Sequence, residues 1–239
     1  AASAAVLVAH RFFRSWVKRV NAFVALTKFA KQKYIDGGLP AERILVKPNF
    51  VHPDPGAGTD DRGYFLYVGR LSPEKGILTL LDAWGLLRHH VRLIIAGGGP
   101  LEVNVLEAVK RNPSVEYLGS QSADNVLALM RSASALVVPS VWYETFGLAV
   151  IEAYAVGLPV LASDIGGLAE IVHHRRTGLR FRPADSEDIA AAIEWSLSHP
   201  TEMAQIRGEA RREYERKYTA ERNYATLMDI YDHAIRSVN

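Results

Sequence analysis

Two glutamates near the middle of the chain are spaced so that they could bind a hydroxylated ligand. Glu144 lies in the segment 139–147, which follows the apolar run ALVV, and Glu152 comes eight residues later within a helical pattern. The positive end of that helix would lie near both carboxylates and favour their ionised forms. Ionised carboxylates accept hydrogen bonds from paired hydroxyls such as those of a ribose or a hexose. The alternative is an ordinary helix start followed by an unrelated glutamate.

The same segment offers backbone amides. The N–H groups near Phe146, Gly147 and Leu148 would stand at the start of the helix, where they have no partner inside it. Free amides at a helix N-terminus can bind an anion.

A second segment, 69–76, combines two cations with a helix start. It follows the apolar run YFLYV and contains Arg70 and Lys75, with Ser72 as a good N-cap and Pro73 as a good first helical residue. Two cations beside a helix N-terminus suit a phosphate or a diphosphate. A capped helix with two solvated charges would explain the same residues.

Two glycine-rich turns follow other apolar runs. The turn 97–99 follows RLIIA, but Glu102 stands where a dinucleotide-binding Gly-x-Gly-x-x-Gly motif needs its third glycine. Gly166 and Gly167 follow PVLA and allow close backbone approach at the end of that run. Glu170 falls in the first turn of the helix predicted there, a favourable place for an acidic residue. A tight strand-to-helix turn is the alternative for both segments.

Several classes of chemistry have no support in the sequence. The chain has no cysteine, which excludes disulfides, thiolate metal sites and a cysteine nucleophile. The pairs His89-His90 and His173-His174 would point apart on a helix, and no set of His, Asp and Glu has metal-ligand spacing. No Gly-x-Ser-x-Gly elbow supports a hydrolase triad. No run reaches the roughly 18 to 20 apolar residues that would cross a bilayer.

The rest of the pattern predicts the scaffold that these segments need. Short apolar runs alternate with helix-period segments, which predicts an α/β fold with a Rossmann-like, doubly wound parallel sheet. The segments above would then meet at the carboxyl ends of the strands, where such sheets bind ligands. The predicted strands are Tyr64–Val68, Arg92–Ala96, Val115–Leu118, Ala135–Val138, Pro159–Ala162 and Leu179–Phe181, and the predicted helices are Glu74–Leu87, Leu101–Arg111, Ala123–Ser132, Leu148–Val156, Leu168–His173, Glu187–Ser198, Glu202–Lys217 and Glu221–Ser237.

The first part of the chain predicts a partial second α/β element. Residues 1–35 hold seven basic residues and no acidic one, whereas the rest holds 21 basic and 26 acidic residues. The net charge of +2 is too small to indicate a nucleic-acid partner. An amphipathic helix, with Phe12, Phe13 and Trp16 on one face, could lie on an anionic membrane or pack inside a domain, and we favour packing. The predicted front elements are helix Arg11–Val20, strand Ala22–Leu26, helix Lys28–Asp36 and strand Ile44–Lys47.

Six stretches of the chain together resemble the donor-binding half of a retaining glycosyltransferase of the GT-B fold and of family 4, the group 1 glycosyltransferases. They are YFLYVGRLSPEKG, IIAGGGP, VEYLGS, VVPSVWYETFG, IEAYAVGLPVLASDIGGLAEIV and TGLRFRP. The resemblance runs from about residue 22 to residue 237. Its specificity lies in four spaced motifs that are each weak alone: Gly69-Arg70, Lys75-Gly76, Glu144-x7-Glu152 and Gly166-Gly167. The resemblance implies a transferase of class EC 2.4 that moves a hexosyl group from a nucleotide-diphosphate sugar to a glycan or lipid-linked acceptor in polysaccharide biosynthesis.

The resemblance also implies a role for the charged candidates. Arg70 and Lys75 would neutralise the donor diphosphate, whose negative charge builds up as the sugar leaves. Glu144 would contact the hydroxyls of the donor sugar and completes the implied catalytic set. Glu152 would accept hydrogen bonds from the ribose hydroxyls. No metal and no cofactor are implied, because Arg70 and Lys75 do the work that a divalent ion does in other glycosyltransferases.

The remaining implied donor-binding residues contribute mainly backbone. The amides of Phe146, Gly147 and Leu148 would touch the sugar or the diphosphate. The glycine turn and the region 117–119 would form the slot for the nucleobase. Together with Glu152, the implied donor-binding set is Gly69, Gly98, Tyr117, Leu118, Phe146, Gly147 and Leu148.

The family has two Rossmann-like domains with the active site between them, and this chain resembles only part of that arrangement. Residues 1–54 would be the remnant of the N-terminal, acceptor-side domain and the linker, and residues 55–220 the donor-binding domain. Residues 221–239 would be the helix that crosses back. The sequence VHPDP stands where the family usually has Gly-Val-Asp after Pro-Asn. We expect this chain, as a fragment, to bind donor but not to transfer sugar alone.

The implied partners are a UDP- or GDP-sugar donor and a glycan or lipid-linked acceptor. The implied location is the cytoplasm, with contact at the inner face of the membrane if the basic helix binds lipid. Two alternatives stay open at this point. One is a non-catalytic donor-binding module that self-associates through its N-terminal segment. The other is a relative with different chemistry, such as an epimerase or a pyridoxal-phosphate-dependent phosphorylase.

Overall fold

The computed structural model of the chain describes residues 6, 10, 15–58 and 61–236. A small α/β unit precedes the main body, as predicted, and its two strands pair in parallel. Its elements are helix α1 (Ser15–Arg19), strand β1 (Phe23–Ala25), helix α2 (Lys28–Asp36) and strand β2 (Ile44–Val46).

The front unit has a small core of its own, formed by Ala25, Ala30 and Ile44. Its strands and α2 agree with the prediction to within a residue or two at each end. The apolar face predicted for Phe12, Phe13 and Trp16 lies outside the described side chains.

Within the described residues, the body is built on one sheet of six parallel strands, and the sequence of strands and helices confirms the predicted α/β alternation. The body strands are β3 (Tyr64–Val68), β4 (Arg92–Ala96), β5 (Val115–Tyr117), β6 (Ala135–Val138), β7 (Val160–Ser163) and β8 (Gly178–Phe181). The body helices are α3 (Ile77–Leu86), α4 (Glu102–Arg111), α5 (Ala123–Ser132), α6 (Leu148–Ala155), α7 (Gly166–Ile171), α8 (Ser186–Ser198), α9 (Pro200–Lys217) and α10 (Ala220–Arg236).

The order of strands across the sheet is β5-β4-β3-β6-β7-β8. The chain builds outward from β3 in one direction and then returns to build outward from β6 in the other. Such a reversal opens a crevice at the carboxyl ends of the two central strands, and doubly wound sheets bind ligands there. The topology therefore places the loops after β3 and β6 side by side.

Both faces of the sheet are buried, which explains why the strands are continuously apolar. Successive side chains of β3 point to opposite faces. Leu66 packs into one core with residues of α5, α6, α7 and α9, and Phe65 packs into the other with residues of α3, α4 and α8. Two covered faces are the usual environment of an all-parallel sheet.

The helix predicted at Glu74–Leu87 is divided in two, which corrects the prediction. A 3-10 turn at Pro73–Lys75 is followed by Gly76 in the left-handed region, with φ of 70°, and α3 begins after it. The reason is tertiary. A β-carbon on Gly76 would lie 1.8 Å from the carbonyl oxygen of Pro139, so only glycine fits at this position.

The segment 51–63, which includes the predicted linker, has no helix or strand among its described residues. Side chains nevertheless fix it to the body. Arg211 of α9 holds both carboxylate oxygens of Asp54 at 2.7 Å. The Tyr214 hydroxyl donates to the carbonyl oxygen of Val51 at 3.2 Å. Just before the linker, Lys47 donates to Asn223 of α10 at 2.9 Å. The division at residues 54 and 220 stays a prediction. No helix of the described chain is long and apolar enough to span a membrane.

Candidate functional site

The loops after β3 and β6 touch at the reversal point of the sheet. The amide of Val141 donates to the carbonyl oxygen of Glu74 at 3.0 Å. The Nζ atom of Lys75 contacts Oε1 of Glu144, and the Ser140 hydroxyl donates to the same oxygen at 3.0 Å. Two residues that the sequence assigns to separate motifs thus form one ion pair across the crevice.

The exposure of this pair matters for its chemistry. The side chain of Lys75 is 34% exposed and that of Glu144 is 21% exposed, so both groups remain open to a ligand at the rim. An anion would compete with Glu144 for the ammonium of Lys75. A hydroxyl group would compete with Lys75 for the carboxylate. One ligand that carries an anion beside hydroxyl groups could therefore satisfy both side chains at once.

Arg70 lies in the same loop and is exposed. Among the residues that the structure describes, its guanidinium has no ion-pair partner, so its charge is available to a ligand. The backbone of Arg70 is held in place because the Tyr67 hydroxyl donates a hydrogen bond to its carbonyl oxygen at 2.8 Å. Burial and the carboxylates of Glu144 and Glu74 raise the pKa of Tyr67, which keeps that hydroxyl protonated as a donor.

Ser72 does not cap a helix with its side chain, contrary to the prediction. Its hydroxyl donates instead to Oε1 of Glu74 at 2.6 Å. Since α3 starts only after Gly76, Arg70 and Lys75 both lie on the loop that precedes the helix. The loop, rather than a helix N-cap, presents the two cations.

Glu152 lies in the second turn of α6, as predicted, but its electrostatics differ from the prediction. Burial raises the pKa of this carboxyl. Within the described part of the chain, no hydrogen bond or ion pair to its carboxylate offsets that burial. The expectation that Glu152 would favour its ionised form is wrong, because burial of the carboxyl disfavours the charge.

The loop between Glu144 and α6 exposes backbone amides. Gly147 has a φ of 89° and precedes the first residue of α6, Leu148. Within the described residues, no hydrogen bond uses the amide of Phe146, Gly147 or Leu148 as a donor. The buried ring of Phe146 packs edge-on against Tyr218 at 6.1 Å between ring centres, which anchors the loop.

The triple-glycine turn packs against the loop that carries Arg70. A β-carbon on Gly97 would lie 1.8 Å from the carbonyl oxygen of Gly69, and the amide of Leu71 donates to the carbonyl oxygen of Gly98 at 3.0 Å. The glycines therefore serve first to let two loops approach.

The loop after β5 continues the same edge. The Tyr117 hydroxyl donates to the carbonyl oxygen of Gly97 at 3.0 Å, and the amide of Gly97 donates to the carbonyl oxygen of Gly119 at 2.8 Å. The amide of Leu118 donates to the carbonyl oxygen of Ile95 at 3.0 Å. The sequence-predicted residues after β3, β4 and β5 thus lie along one continuous rim.

Two further residues support this site: Gly167, for which the sequence predicts close backbone approach, and Thr27, which has no role in the sequence analysis. The amide of Gly167 donates to the carbonyl oxygen of Glu144 at 2.7 Å, and a β-carbon on Gly167 would lie 2.7 Å from that oxygen. The Thr27 hydroxyl donates to the carbonyl oxygen of Thr145 at 2.9 Å. Thr27 precedes a predicted helix and could be identified as an N-cap, but nothing in the sequence links it to Thr145.

Glu170 acts on a helix other than its own, which corrects the prediction. It lies near the end of α7, and its two carboxylate oxygens accept hydrogen bonds from the amides of Lys28 at 3.0 Å and Phe29 at 2.9 Å. It therefore caps the N-terminus of α2 in the front unit.

The histidine pairs lie away from the rim contacts described above. His89 and His90 are exposed at the start of β4, and Nδ1 of His174 accepts a hydrogen bond from the amide of Arg180 at 3.0 Å. Across the described ranges, no group of three or more His, Asp or Glu residues is arranged to hold a metal ion.

Comparison with known families and proteins gives consistent matches. Residues 53–214 match the family model described as "Glycosyl transferases group 1". The chain is 33% identical over 177 residues to the uncharacterized glycosyltransferase MJ1607 of Methanocaldococcus jannaschii, covering 72% of this chain and 45% of that protein. It is 37% identical over 154 residues to the glycogen synthase of Mycobacterium tuberculosis, covering 62% of this chain and 37% of that protein. The chain thus spans less than half the length of these two relatives.

Solved structures match the fold. The crystal structure of Anabaena Alr3699/HepE in complex with UDP superposes with a TM-score of 0.83 at 20% identity, covering 91% of this chain and 65% of that chain. The same protein in complex with UDP-glucose gives a TM-score of 0.78 at 21% identity, with 91% and 64% covered. At these identities the likeness concerns the fold alone, and it confirms the predicted fold class.

Proposed function

This chain belongs to the group 1 glycosyl transferases, and from that premise we propose that it carries the nucleotide-sugar-binding half of a retaining, family 4 hexosyltransferase. The donor would be a UDP- or GDP-sugar, and the acceptor a glycan or a lipid-linked glycan. The observation that carries the proposal is the contact of Lys75 with Glu144 across the reversal point of the sheet. It brings an anion-binding group and a hydroxyl-binding group within reach of one ligand.

Arg70 and Lys75 would bind the diphosphate. When the bond between the anomeric carbon and the diphosphate oxygen breaks, negative charge accumulates on the leaving diphosphate. Fixed cations that meet this developing charge stabilise the transition state more than the ground state. The lack of an ion-pair partner for Arg70 among the described residues supports this role, because its charge is not already neutralised.

Glu144 would accept hydrogen bonds from the hydroxyls of the donor sugar. In the free chain its Oε1 contacts Lys75 and accepts from Ser140. When the diphosphate takes over Lys75, the carboxylate becomes available to the sugar. The free amides of Phe146, Gly147 and Leu148 lie in the same loop and would add donors for the sugar or the diphosphate.

Glu152 and the adjoining rim would hold the nucleoside. The carboxylate of Glu152 would accept hydrogen bonds from the two ribose hydroxyls, which would compensate for its burial. The turn at Gly98 and the region of Tyr117 and Leu118 would line the slot for the base. No metal and no cofactor are needed in this scheme.

Transfer would require more chain than these residues supply. The relatives that this chain matches are much longer. We therefore assign donor binding to this chain, and acceptor binding to the rest of an enzyme that works in the cytoplasm or against the inner face of a membrane.

Calorimetric titration of the chain with UDP, GDP and uridine tests the proposal. We expect one of the two diphosphates to bind at micromolar to millimolar concentration and uridine to bind more weakly. The variant Lys75→Ala should weaken the diphosphate much more than uridine. Lys110→Ala, on the far end of α4, is the matched control and should change neither affinity. Equal weakening of diphosphate and uridine by Lys75→Ala would contradict the diphosphate role. Binding of neither UDP nor GDP by the wild-type chain would contradict the donor-binding role.

A further inference from the structure

Helix α2 of the front unit is attached to the loop that carries Glu144. We propose that Thr27 and Glu170 are positioning residues, which dock α2 against residues 143–145 and thereby hold Glu144 at the rim. The inference rests on the sugar-binding role proposed for Glu144. It extends that role to residues on the front unit and on α7.

Thr27 makes two hydrogen bonds with one hydroxyl. It accepts from the amide of Ala30 at 3.0 Å, which caps α2, and it donates to the carbonyl oxygen of Thr145 at 2.9 Å. The side chain is only 2% exposed. A hydroxyl has one proton to donate and lone pairs to accept, so both contacts use it fully. The bond to Thr145 fixes the peptide between Thr145 and Phe146, one residue beyond Glu144.

Glu170 connects the two helices that hold the backbone of Glu144 and Thr145. Its carboxylate caps α2 through the amides of Lys28 and Phe29. Glu170 belongs to α7, and the second residue of α7, Gly167, donates to the carbonyl oxygen of Glu144 at 2.7 Å. The Glu144–Thr145 backbone is therefore held on one side by α7 and on the other by α2. Glu170 joins these two helices to each other.

Aromatic contacts reinforce the docking of α2. The rings of Phe29 and Tyr143 lie 5.2 Å apart between centres. The ammonium of Lys33 lies 5.4 Å from the Tyr143 ring centre and 5.6 Å from that of Phe29. A cation within about 6 Å of an aromatic face is attracted to it. These contacts act on the residue just before Glu144.

Among the described residues, Val141 and Phe146 also anchor the loop, one on each side of residues 142–145. Tyr143 is 52% exposed and Trp142 is 69% exposed, so neither is held by the core. The contacts of α2 and α7 with the loop therefore determine where Glu144 stands relative to Lys75. Loss of the Thr27 bond should let the loop move, and Glu144 would lose its place beside the sugar.

A measurement without ligand tests the docking directly. The variant Thr27→Val keeps the shape of the side chain but removes both hydrogen bonds, and Thr27→Ser restores them. We expect the amide of Gly167, which is bonded to Glu144, to exchange with solvent about fivefold faster or more in Thr27→Val, and at the wild-type rate in Thr27→Ser. Gln32→Ala, which removes a bond to Asp36 on the exposed face of α2, is the matched control. Unchanged exchange of Gly167 in Thr27→Val would overturn the proposal, and so would an equal rise in the control.

A second measurement connects the docking with ligand binding. The ratio of UDP-glucose affinity to UDP affinity isolates contacts to the sugar. We expect Thr27→Val and Glu170→Gln to lower this ratio about fivefold or more, while Thr27→Ser and Gln32→Ala leave it unchanged. Equal losses for both ligands would overturn the positioning role, because a general destabilisation does not select for the sugar. If the wild-type chain binds neither ligand, the proposed donor-binding function fails, and the exchange of Gly167 still decides whether α2 positions the loop.

Discussion

Replacement of Glu152 by glutamine should make the protein more stable and a weaker binder of nucleotide. Glu152 is a partly buried carboxylate without a hydrogen-bond or ion-pair partner in the described structure, and burial raises its pKa. No contact in the described structure compensates for the burial of this carboxylate, so its charge lowers the stability of the fold. Glutamine has nearly the same shape and carries no charge, so Glu152→Gln removes the electrostatic penalty and leaves the packing of α6 intact.

The magnitudes follow from the burial and from the contacts proposed for the ligand. Burying a charged group costs more free energy than burying a neutral amide of the same shape, and the burial of Glu152 is only partial, so the difference is small. We therefore expect the free energy of unfolding to rise by about 1 kcal/mol at pH 7. Hydrogen bonds to a charged group contribute about 1.5–3 kcal/mol, so the affinity for UDP should fall about 10- to 150-fold.

The stability gain should depend on pH. Because the folded-state pKa of Glu152 is raised, the carboxyl is protonated in both states below its unfolded pKa, and the penalty is absent there. The penalty appears as the pH rises from the unfolded pKa through the folded pKa, and it is complete above it. The stability of Glu152→Gln relative to wild type should therefore be near zero at low pH and grow as the pH rises.

Urea denaturation at several pH values and calorimetric titration with UDP measure both effects. Glu42→Gln, at an exposed carboxylate in the front unit, is the control and should alter neither quantity. A destabilised Glu152→Gln at pH 7 would refute the reasoning, since it would mean that the ionised carboxylate makes a favourable contact in the fold. A stability difference that is independent of pH would refute it as well.

Two further predictions concern the scaffold. Gly76→Ala should destabilise the chain by at least about 1–2 kcal/mol, because the left-handed backbone is unfavourable for alanine and the new β-carbon meets Pro139. Gly85→Ala, in open space within α3, is its control and should stabilise by up to about 1 kcal/mol in the same urea titration. Glu213→Gln should destabilise by about 1–3 kcal/mol, since this carboxylate is 1% exposed and pairs with Arg176 and Lys217, whose own side chains are partly exposed and stay hydrated. Burial alone would raise the pKa of Glu213, but the neighbouring cations lower it by more than burial raises it. The net result is a pKa below the ordinary value of a glutamate. The stability that it supplies should therefore be lost as acid titration passes below the unfolded pKa.

The strands of the body could be predicted from sequence because both faces of the sheet are covered. A short, continuous apolar run that is followed by a turn signal indicates a buried strand, and the turn signal indicates where the strand ends. The observed ends differ by one residue at most, as at Val115–Tyr117 and Val160–Ser163. The segments that the sequence assigned to strand ends do lie there.

Apart from the local bond of Ser72 to Glu74, the corrections depend on partners that are distant in sequence. The break at Gly76 follows from the backbone of Pro139, and the capping of α2 by Glu170 spans more than 140 residues. The sequence places Lys75 and Glu144 at strand ends, but only the order of strands in the sheet puts those two ends next to each other. The raised pKa of Glu152 depends on what surrounds α6, and helical spacing carries no information about that.

The attachment of the front unit at two separate places has a mechanical consequence. One attachment joins Thr27 to Thr145 at the rim, and the other joins Lys47 to Asn223 at the base of α10. Glu170, which accepts hydrogen bonds from the amides of Lys28 and Phe29, opposes rotation of the unit about the axis through these two contacts. Rotation about that axis would strain the contact of Phe29 with Tyr143, which lies beside the first attachment. A force applied to the front unit would therefore reach the loop first at Tyr143, the residue before Glu144.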